Sequence, residues 1–290
     1  MSKVVAIGSF DGVHRGHEAI LTTARRIAGD GEVVALTFWP HPMAVLHPDR
    51  SPALLCELPD RVALLRAAGA DEVSIVEFTP AVASWTPAEF IARVLEPLAA
   101  TAVVVGQNFR FGAGAKADGN VMRELAGGRL DVTVLPMLRD SGPVSSSRIR
   151  AALEAGDPKL AAKMLGRPFR YSGVVILGDQ RGRQLGFPTA NLAVAPDKAC
   201  VADAVYAGYL NLGDTRWPAA ISVGTNPTFD GRLRHVEAYA IGRTDLKLYG
   251  ERVGVDFVAR LRGQARFESK AELIAQMEAD VAATREQLAR

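Results

Sequence analysis

Two histidines three residues apart, His14 and His17, sit inside a glycine-rich run, Gly8-Ser9-Phe10-Asp11-Gly12-Val13-His14-Arg15-Gly16-His17. An apolar, strand-like segment, Val4-Val5-Ala6-Ile7, leads into it, and a helix-like pattern leaves it. Strand, tight glycine turn and helix N-terminus together are the layout of a phosphate site. Backbone N–H groups at a helix start lack intrahelical partners and attract anions. Glycine lets a phosphate approach the backbone closely. Residues three apart share a helical face, so both imidazoles can point at one anion. A second segment, Ser145-Ser146-Ser147-Arg148-Ile149-Arg150, adds hydroxyls and guanidinium groups at another predicted helix start. A helix cap explains one serine, but three serines followed by Arg-x-Arg is a phosphate-binding composition. Four of the five histidines, His14, His17, His41 and His47, fall in the first 47 residues, so a zinc site is an alternative. Zinc sites usually add Cys or carboxylates at defined spacing, and no Cys lies near His14-x-x-His17.

The stretch from Gly178 to Leu192, Gly-Asp-Gln-Arg-Gly-Arg-Gln-Leu-Gly-Phe-Pro-Thr-Ala-Asn-Leu, is a second candidate. It holds glycines for close approach, including Gly186, and the arginines Arg181 and Arg183 for phosphate. Thr189 and Asn191 are hard oxygen ligands of the kind Mg²⁺ accepts beside nucleotide phosphates. An ordinary glycine-rich hairpin with a proline turn explains the same composition. The chain contains no Walker A sequence, which excludes a P-loop kinase on motif grounds. Downstream, Glu237 alternates with apolar residues in His235-Val236-Glu237-Ala238-Tyr239. It shares a strand face with His235 and Tyr239, opposite Val236 and Ala238. A solvent-facing carboxylate and a catalytic one at a barrel mouth both fit that pattern.

These groups must be held by elements. In the first half, short apolar runs at Val4–Gly8, Val33–Phe38, Glu72–Val76, Ala102–Gly106 and Asp131–Leu135 alternate with helical stripes. The stripes are Ile20/Leu21/Ala24/Ile27, then Val62/Leu64/Leu65/Ala68 after Pro59, then Phe90/Ile91/Val94/Leu95/Leu98. That rhythm predicts a doubly wound parallel sheet, with ligands beyond the C-terminal strand ends. Two short helices follow from Ser146 to about Leu165, broken at Gly156-Asp157-Pro158. After Pro168, strand runs succeed one another at Phe169–Leu177, Val205–Leu212, Ala219–Val223, His235–Ile241 and Val253–Ala259. They predict an antiparallel barrel or sandwich. Ser269-Lys270-Ala271-Glu272 opens a last helix as a capping box, with Leu273, Met277, Val281 and Leu288 as its buried stripe. The expected domains are therefore 1–166, including the two-helix linker, and 167–290. A length of 290 residues suits two cores.

The net charge of +2 and the absence of a basic stripe argue against nucleic-acid binding. No apolar run is long enough for a membrane span. The chain runs straight into its first strand, so no signal peptide is expected. Cys56 and Cys200 lie far apart, which predicts two free thiols in a reducing cytoplasm.

The motif Gly-x-Phe-Asp-Gly-Val-His-x-Gly-His, with the later Ser-Ser-Ser-x-Ile-Arg, resembles the HxGH-type nucleotidylyltransferases. With Thr37-Phe38-Trp39-Pro40-His41-Pro42 and Val105-Gly106-Gln107-Asn108-Phe109-Arg110-Phe111-Gly112, the resemblance narrows to the prokaryotic bifunctional riboflavin kinase/FAD synthetase family. Gly-Arg-x-Leu-Gly-Phe-Pro-Thr-Ala-Asn-Leu, Gly224-Thr225-Asn226-Pro227-Thr228-Phe229, Val236-Glu237-Ala238-Tyr239, Leu248-Tyr249-Gly250 and Phe267-Glu268-Ser269 resemble its kinase part. The two parts together cover nearly the whole chain. The resemblance implies a parallel-sheet module that converts FMN and ATP to FAD and pyrophosphate, and a Greek-key barrel that converts riboflavin and ATP to FMN. It implies that His14 and His17 bind ATP phosphates, with Gly8, Phe10, Asp11 and Gly16 framing them. Ser146, Ser147 and Arg150 then hold the leaving phosphates, and Asn108, Phe109 and Phe111 face the flavin. In the kinase part it implies Glu237 as general base, Thr189 and Asn191 as Mg²⁺ ligands, Arg181, Arg183 and Gly186 at phosphate, and Arg262 at the flavin. Riboflavin, FMN and ATP are then the partners, with no nucleic acid or membrane, and the oligomeric state is not indicated. Ser147 stands where Thr is common, and Trp39 where Asp is common. Retention of one activity alone and a non-catalytic flavin-binding protein are the alternative readings.

Overall fold

The computed structural model describes residues 2–178, 185–228 and 231–289. The chain divides into two compact units, 1–146 and 147–290.

The first unit is built on five parallel strands: β1 (Lys3–Ile7), β2 (Glu32–Trp39), β3 (Glu72–Glu77), β4 (Ala102–Gly106) and β5 (Asp131–Leu135). Their order is β3-β2-β1-β4-β5. Alternate residues of one strand enter different cores, as the pleat requires. Val5 and Ile7 pack with Val103, Val105, Phe90 and Met122, whereas Val4 and Ala6 pack with Leu21, Ala24, Leu65 and Val104. A strand covered on both faces must be apolar throughout, which explains the unbroken Val-Val-Ala-Ile run. The helices are α1 (Arg15–Ala28), α2 (Pro42–Leu46), α3 (Leu58–Ala67), α4 (Pro80–Ala83), α5 (Pro87–Phe90) and α6 (Gly119–Ala126). The last predicted stripe of this half continues α5 as a π-helical turn, Ile91–Leu95. In α3 the fully buried positions are Arg61 and Leu65, while Val62, Leu64 and Ala68 are half-buried. Arg61 lies on the same face as that apolar stripe, one turn before the core residue Leu65, so the face that packs inward carries an arginine with it. β1 lies at the centre, and the strand order reverses between β1 and β4. In a doubly wound sheet that switch point opens a crevice at the C-terminal strand ends, beside Gly8 and Gln107.

From Ser147 onward α7 (Ser146–Glu154), then α8 (Pro158–Leu165), open the second unit. The Asp157 carboxylate accepts the Leu160 N–H at 2.9 Å and so caps α8 after the Gly156 break. Six antiparallel strands follow: β6 (Phe169–Val174), β7 (Ala190–Ala193), β8 (Ala204–Leu212), β9 (Thr215–Thr228), β10 (Gly231–Ala240) and β11 (Arg252–Arg262). Their order is β6-β11-β8-β9-β10-β7. The edge strands bend together. The Tyr171 hydroxyl donates to the Ala193 carbonyl at 2.9 Å, and the Ile176 N–H donates to the Asn191 carbonyl at 2.8 Å. The sheet thereby nearly closes into a barrel, which removes its exposed edges. β7 lies inside the stretch read from sequence as a binding loop, and β6 ends three residues earlier than predicted. Both α7 and α8 belong to this unit: the Leu153 carbonyl accepts the Ala202 N–H at 2.9 Å, and Ala161, Met164 and Leu165 are buried.

The C-terminal helix (Lys270–Leu288) lies along β8, β9 and β11. Ser269 caps it by accepting the Glu272 N–H at 3.2 Å, and the Glu272 carboxylate accepts the Glu268 N–H at 3.1 Å. The predicted stripe Leu273, Met277, Val281 and Leu288 is only half-buried. The buried residues are Asp280 and Thr284. The reason is an ion pair: Arg262 on β11 grips Asp280 with two hydrogen bonds of 2.8 and 2.7 Å. Among the described residues no helix is long and apolar enough to cross a membrane.

Candidate active sites

The loop after β1 reaches the switch point in a conformation few residues adopt. Phe10, Gly12 and Val13 all have positive φ, at 50°, 79° and 39°. Glycine tolerates this, but a β-branched valine rarely does. The loop is held from several sides. The Asp11 carboxylate, only 2% exposed, accepts the Leu55 N–H at 2.9 Å and the Cys56 N–H at 3.3 Å. The Gly12 N–H donates to Cys56 Sγ at 3.2 Å, and the Thr37 hydroxyl donates to the Ser9 carbonyl at 3.0 Å. Ser146 Oγ, at the start of α7, donates to the Asp11 carbonyl at 2.9 Å.

His14 leaves this loop as the N-cap of α1, and its Nδ1 accepts the His17 N–H at 3.3 Å. The two imidazoles stack at 3.6 Å between centroids with 15° between planes, and Phe10 meets His17 edge-on at 5.1 Å. Both rings thus converge on one spot above a helix N-terminus, where partial positive charge favours an anion. A Cβ at Gly16 would stand 3.1 Å from the His14 ring, and one at Gly8 would stand 3.1 Å from the Phe10 ring. These glycines make room for the two rings rather than for unusual torsions.

Asn108 is exposed at the end of β4, on the opposite lip of the same crevice. Phe109 is half-buried and stacks on Phe111 at 5.5 Å. Phe111 itself is buried and packs on Phe90. It supports Phe109 and belongs to the core. Ser147 and Arg150 lie on α7, in the second unit.

Sequence reasoning missed the centre of the hydrogen-bond system under the loop. Arg61 is fully buried; its Nη1 donates to Thr37 Oγ1 at 3.3 Å and to the Phe38 carbonyl at 3.2 Å. Its Nη2 stands 3.9 Å from Asp11 Oδ1, and its guanidinium lies 5.4 Å from the Trp39 ring centroid. Burial, aided by the nearby Asp11 carboxylate, pushes the Cys56 thiol up to about 11, with Arg61 pulling the other way.

In the second unit the register of β10 decides the site. Glu237 pairs with Asn191 on β7 and with Ser222 on β9. Val236 and Ala238 are fully buried in the barrel, so Glu237, His235 and Tyr239 occupy the other face. Directly opposed residues of an antiparallel pair carry side chains on one face, about 5 Å apart at Cβ. Glu237 and Asn191 therefore share a face, and Thr189 lies two residues before Asn191. Asn191 Nδ2 donates to the Thr189 carbonyl and to Thr189 Oγ1, both at 3.2 Å, which aims the amide oxygen away from these acceptors. A Cβ at Gly178 would stand 2.6–2.8 Å from the Asn191 amide, so only glycine leaves space for it. A hydroxyl and an amide oxygen, one behind a glycine cradle, form a donor set suited to Mg²⁺.

A cavity opens beside them. Val175, Ala190, Leu210, Ala238, Ala240 and Leu248 give it apolar walls, with Thr189, Asn191, Arg243 and Thr244 on its polar side. Gly186 has φ 88°, and Phe187 meets Tyr239 edge-on at 5.2 Å. Arg181 and Arg183 lie outside the described residues. Arg262 is committed to Asp280 and also lies over the Phe267 ring at 5.8 Å.

Comparison with known proteins covers both units. A family model described as FAD synthetase matches residues 1–148, and one described as riboflavin kinase matches residues 165–288. The chain is 34% identical to a bifunctional riboflavin kinase/FMN adenylyltransferase of Escherichia coli (strain K12), over 98% of this chain and 92% of that protein. It is 32% identical to the protein of the same description from Bacillus subtilis (strain 168), over 96% of this chain and 90% of that one. For that of Pseudomonas fluorescens the identity is 36%, over 97% and 92%. A solved structure described as a macrolide-efflux protein from Streptococcus pneumoniae is similar to this fold, with a TM-score of 0.88 and 33% identity over 98% of this chain and 94% of that one.

Proposed function

We propose roles for the residues of a chain that belongs to the bifunctional riboflavin kinase/FMN adenylyltransferase family. The enzyme phosphorylates riboflavin to FMN and adenylylates FMN to FAD, using ATP in both steps. The adenylyl-transfer module is assigned to 1–166 and the kinase module to 167–290. The first assignment keeps Ser146, Ser147 and Arg150 with the loop they are meant to serve.

In adenylyl transfer the FMN phosphate attacks the α-phosphorus of ATP and pyrophosphate leaves. The nucleophile is already an anion, so alignment and charge neutralisation are what the protein must supply. His14 and His17 hold the ATP phosphates and stabilise charge on the transferring group, framed by Gly8, Phe10, Asp11 and Gly16. Ser146, Ser147 and Arg150 hold the leaving phosphates. Asn108 and Phe109, backed by Phe111, face FMN. The stacked His14–His17 pair at the switch point carries this reading.

In the kinase step the nucleophile is the neutral terminal hydroxyl of riboflavin. Glu237 takes its proton as the hydroxyl oxygen attacks the γ-phosphorus, whose bond to the β–γ bridging oxygen breaks and releases ADP. Thr189 and Asn191 would hold Mg²⁺, which would supply charge neutralisation for the ATP phosphates. Gly186, Arg181 and Arg183 bind phosphate, and the apolar cavity beside Thr189 takes the adenine. Arg262 borders the riboflavin side through the C-terminal helix. The pairing of Glu237 with Asn191 supports this reading, since it puts base and metal ligand on one face. The free thiols of Cys56 and Cys200 suit a reducing cytoplasm.

The test is a time course with riboflavin, ATP and Mg²⁺, in which FMN forms first and FAD after it. His14→Ala with His17→Ala should leave FMN accumulating without FAD. FAD formation at the wild-type rate by that variant would remove the histidines from the site. Chelation of Mg²⁺ should stop both products.

A further inference from the structure

Arg61 is the one fully buried arginine among the described residues, and nothing in the reaction scheme above uses it. Its Nε and Nη2 are buried without a hydrogen-bond partner. A buried guanidinium with unsatisfied N–H groups is a poor stabilising device. An apolar side chain on the same helical face would usually serve stability as well or better. Its presence there calls for another reason.

The contacts of Arg61 supply one. Its Nη1 donates to the Thr37 hydroxyl, which in turn donates to the Ser9 carbonyl at the start of the strained loop. Its Nη2 faces the Asp11 carboxylate in the middle of that loop, at 3.9 Å. It also donates to the Phe38 carbonyl and lies against the Trp39 ring, both at the end of β2 beside the crevice. Each of these partners belongs to the loop or to the strand end next to it. A loop with Phe10, Gly12 and Val13 all at positive φ persists only if its surroundings over-determine it. The residue it delivers is His14.

We propose that Arg61 is a positioning residue for adenylyl transfer, bracing the Ser9–Val13 loop from beneath through Thr37 and Asp11 so that His14 and His17 meet the ATP phosphates. Being fully buried, it touches neither substrate. It acts through two links, one to Ser9 at the start of the strained turn and one to Asp11 within it. Trp39 covers the guanidinium with its ring face, an attraction suited to a cation removed from water. The proposal rests on the reading of this loop as the adenylyl-transfer site, and the kinase module provides an internal control in the same molecule.

The experiment uses the full chain with Arg61→Gln, Arg61→Lys, Thr37→Val and Thr37→Ser, measuring FMN formation from riboflavin and FAD formation from FMN separately. Loosening of an aligned catalytic loop should lower kcat for FAD formation about 10–100-fold in Arg61→Gln, with a smaller change in KM for ATP. FMN formation should stay at the wild-type rate. Thr37→Val should fall in the same direction and Thr37→Ser should recover, because the serine keeps the linking hydroxyl. Arg61→Lys should recover part of the loss. Thr37→Val combined with Arg61→Gln should fall little further than Arg61→Gln alone, since both break one path. If Arg61→Gln does not fold, Thr37→Val and its serine rescue decide the question. Wild-type kcat for FAD formation in folded Arg61→Gln or Thr37→Val, even with a lowered melting temperature, would overturn the proposal. His14→Ala with His17→Ala, run alongside, separates the two readings. If that variant still forms FAD, the loop is not the transfer site and the brace falls with it. If it is inactive while the Arg61 and Thr37 variants are normal, only the brace is wrong.

Discussion

Glu237 illustrates what a single residue needs before chemistry can be assigned to it. Its alternation with Val236 and Ala238 fits a solvated carboxylate as well as a base, and only the register with Asn191 puts it beside a candidate metal ligand. Replacing it with glutamine keeps shape and removes basicity. FMN formation in Glu237→Gln should slow roughly 10²–10⁴-fold, the usual worth of a general base. FAD formation from supplied FMN should be unaffected, and a loss of only a few-fold in FMN formation would make Glu237 structural. The cysteines behave differently. Burial pushes the thiols of Cys56 and Cys200 up from 9.0 to about 11 and about 12. Both are therefore protonated at neutral pH and slow to react. Alkylation of the native enzyme at pH 7.5 should lag far behind that of the denatured chain, as mass spectrometry would show. The sign of the pH effect follows from the raised values. Stabilisation from keeping the thiols protonated is complete below pH 9 and is lost as pH rises through about 11–12. Melting temperatures of wild type and Cys200→Ala should therefore converge across that alkaline window, and parallel curves would refute the assignment.

At the scale of elements, the C-terminal helix carries an ion pair at the centre of its apolar stripe. Arg262 and Asp280 meet through two short hydrogen bonds, and Gln276 adds a third to Asp280 at 3.0 Å. Hydrogen bonds to charged partners contribute about 1.5–3 kcal/mol when partly buried, so Asp280→Ala should lower the stability of the second unit by about that amount. Calorimetry would register it as an earlier transition, and an unchanged melting temperature would show that the half-buried Leu273, Met277 and Val281 suffice. The predicted stripe identified the correct side of the helix but not its anchor, because an apolar pattern does not report a buried charge and its partner on another strand. The same blindness hid Arg61. On α3 the pattern Val62/Leu64/Leu65/Ala68 describes an ordinary amphipathic helix, yet the face it buries also carries Arg61, a guanidinium whose partners come from β2 and from the loop after β1.

For the molecule as a whole, α7 and α8 are the elements on which the module boundary turns. They precede Gly166 in sequence, but Ala161, Met164 and Leu165 are buried and Leu153 bonds to Ala202 in the second unit. A fragment of residues 147–290 should therefore melt higher and retain more riboflavin kinase activity than one of residues 167–290. Equal stability of the two fragments would show that the helices contribute nothing to the barrel. Much of the architecture was legible in advance, because burial on two faces demands continuous apolar strands and burial on one face demands alternation. The five parallel strands, the break at Gly156-Asp157-Pro158 and the succession of later strands follow from those local rules. The short β7 did not, since four residues among glycine, proline and polar neighbours carry no period of their own. Local sequence sets the chemistry available: histidines at a glycine turn, serines and arginines at a helix start, oxygen ligands and a carboxylate on strands. Those depend on residue type and near neighbours. Which groups meet came from packing across the fold: strand order set β1 beside β4, register set Glu237 opposite Asn191, and the docking of α3 on the sheet set Arg61 beneath the loop that carries His14. These are long-range choices made by packing, and no local pattern records them.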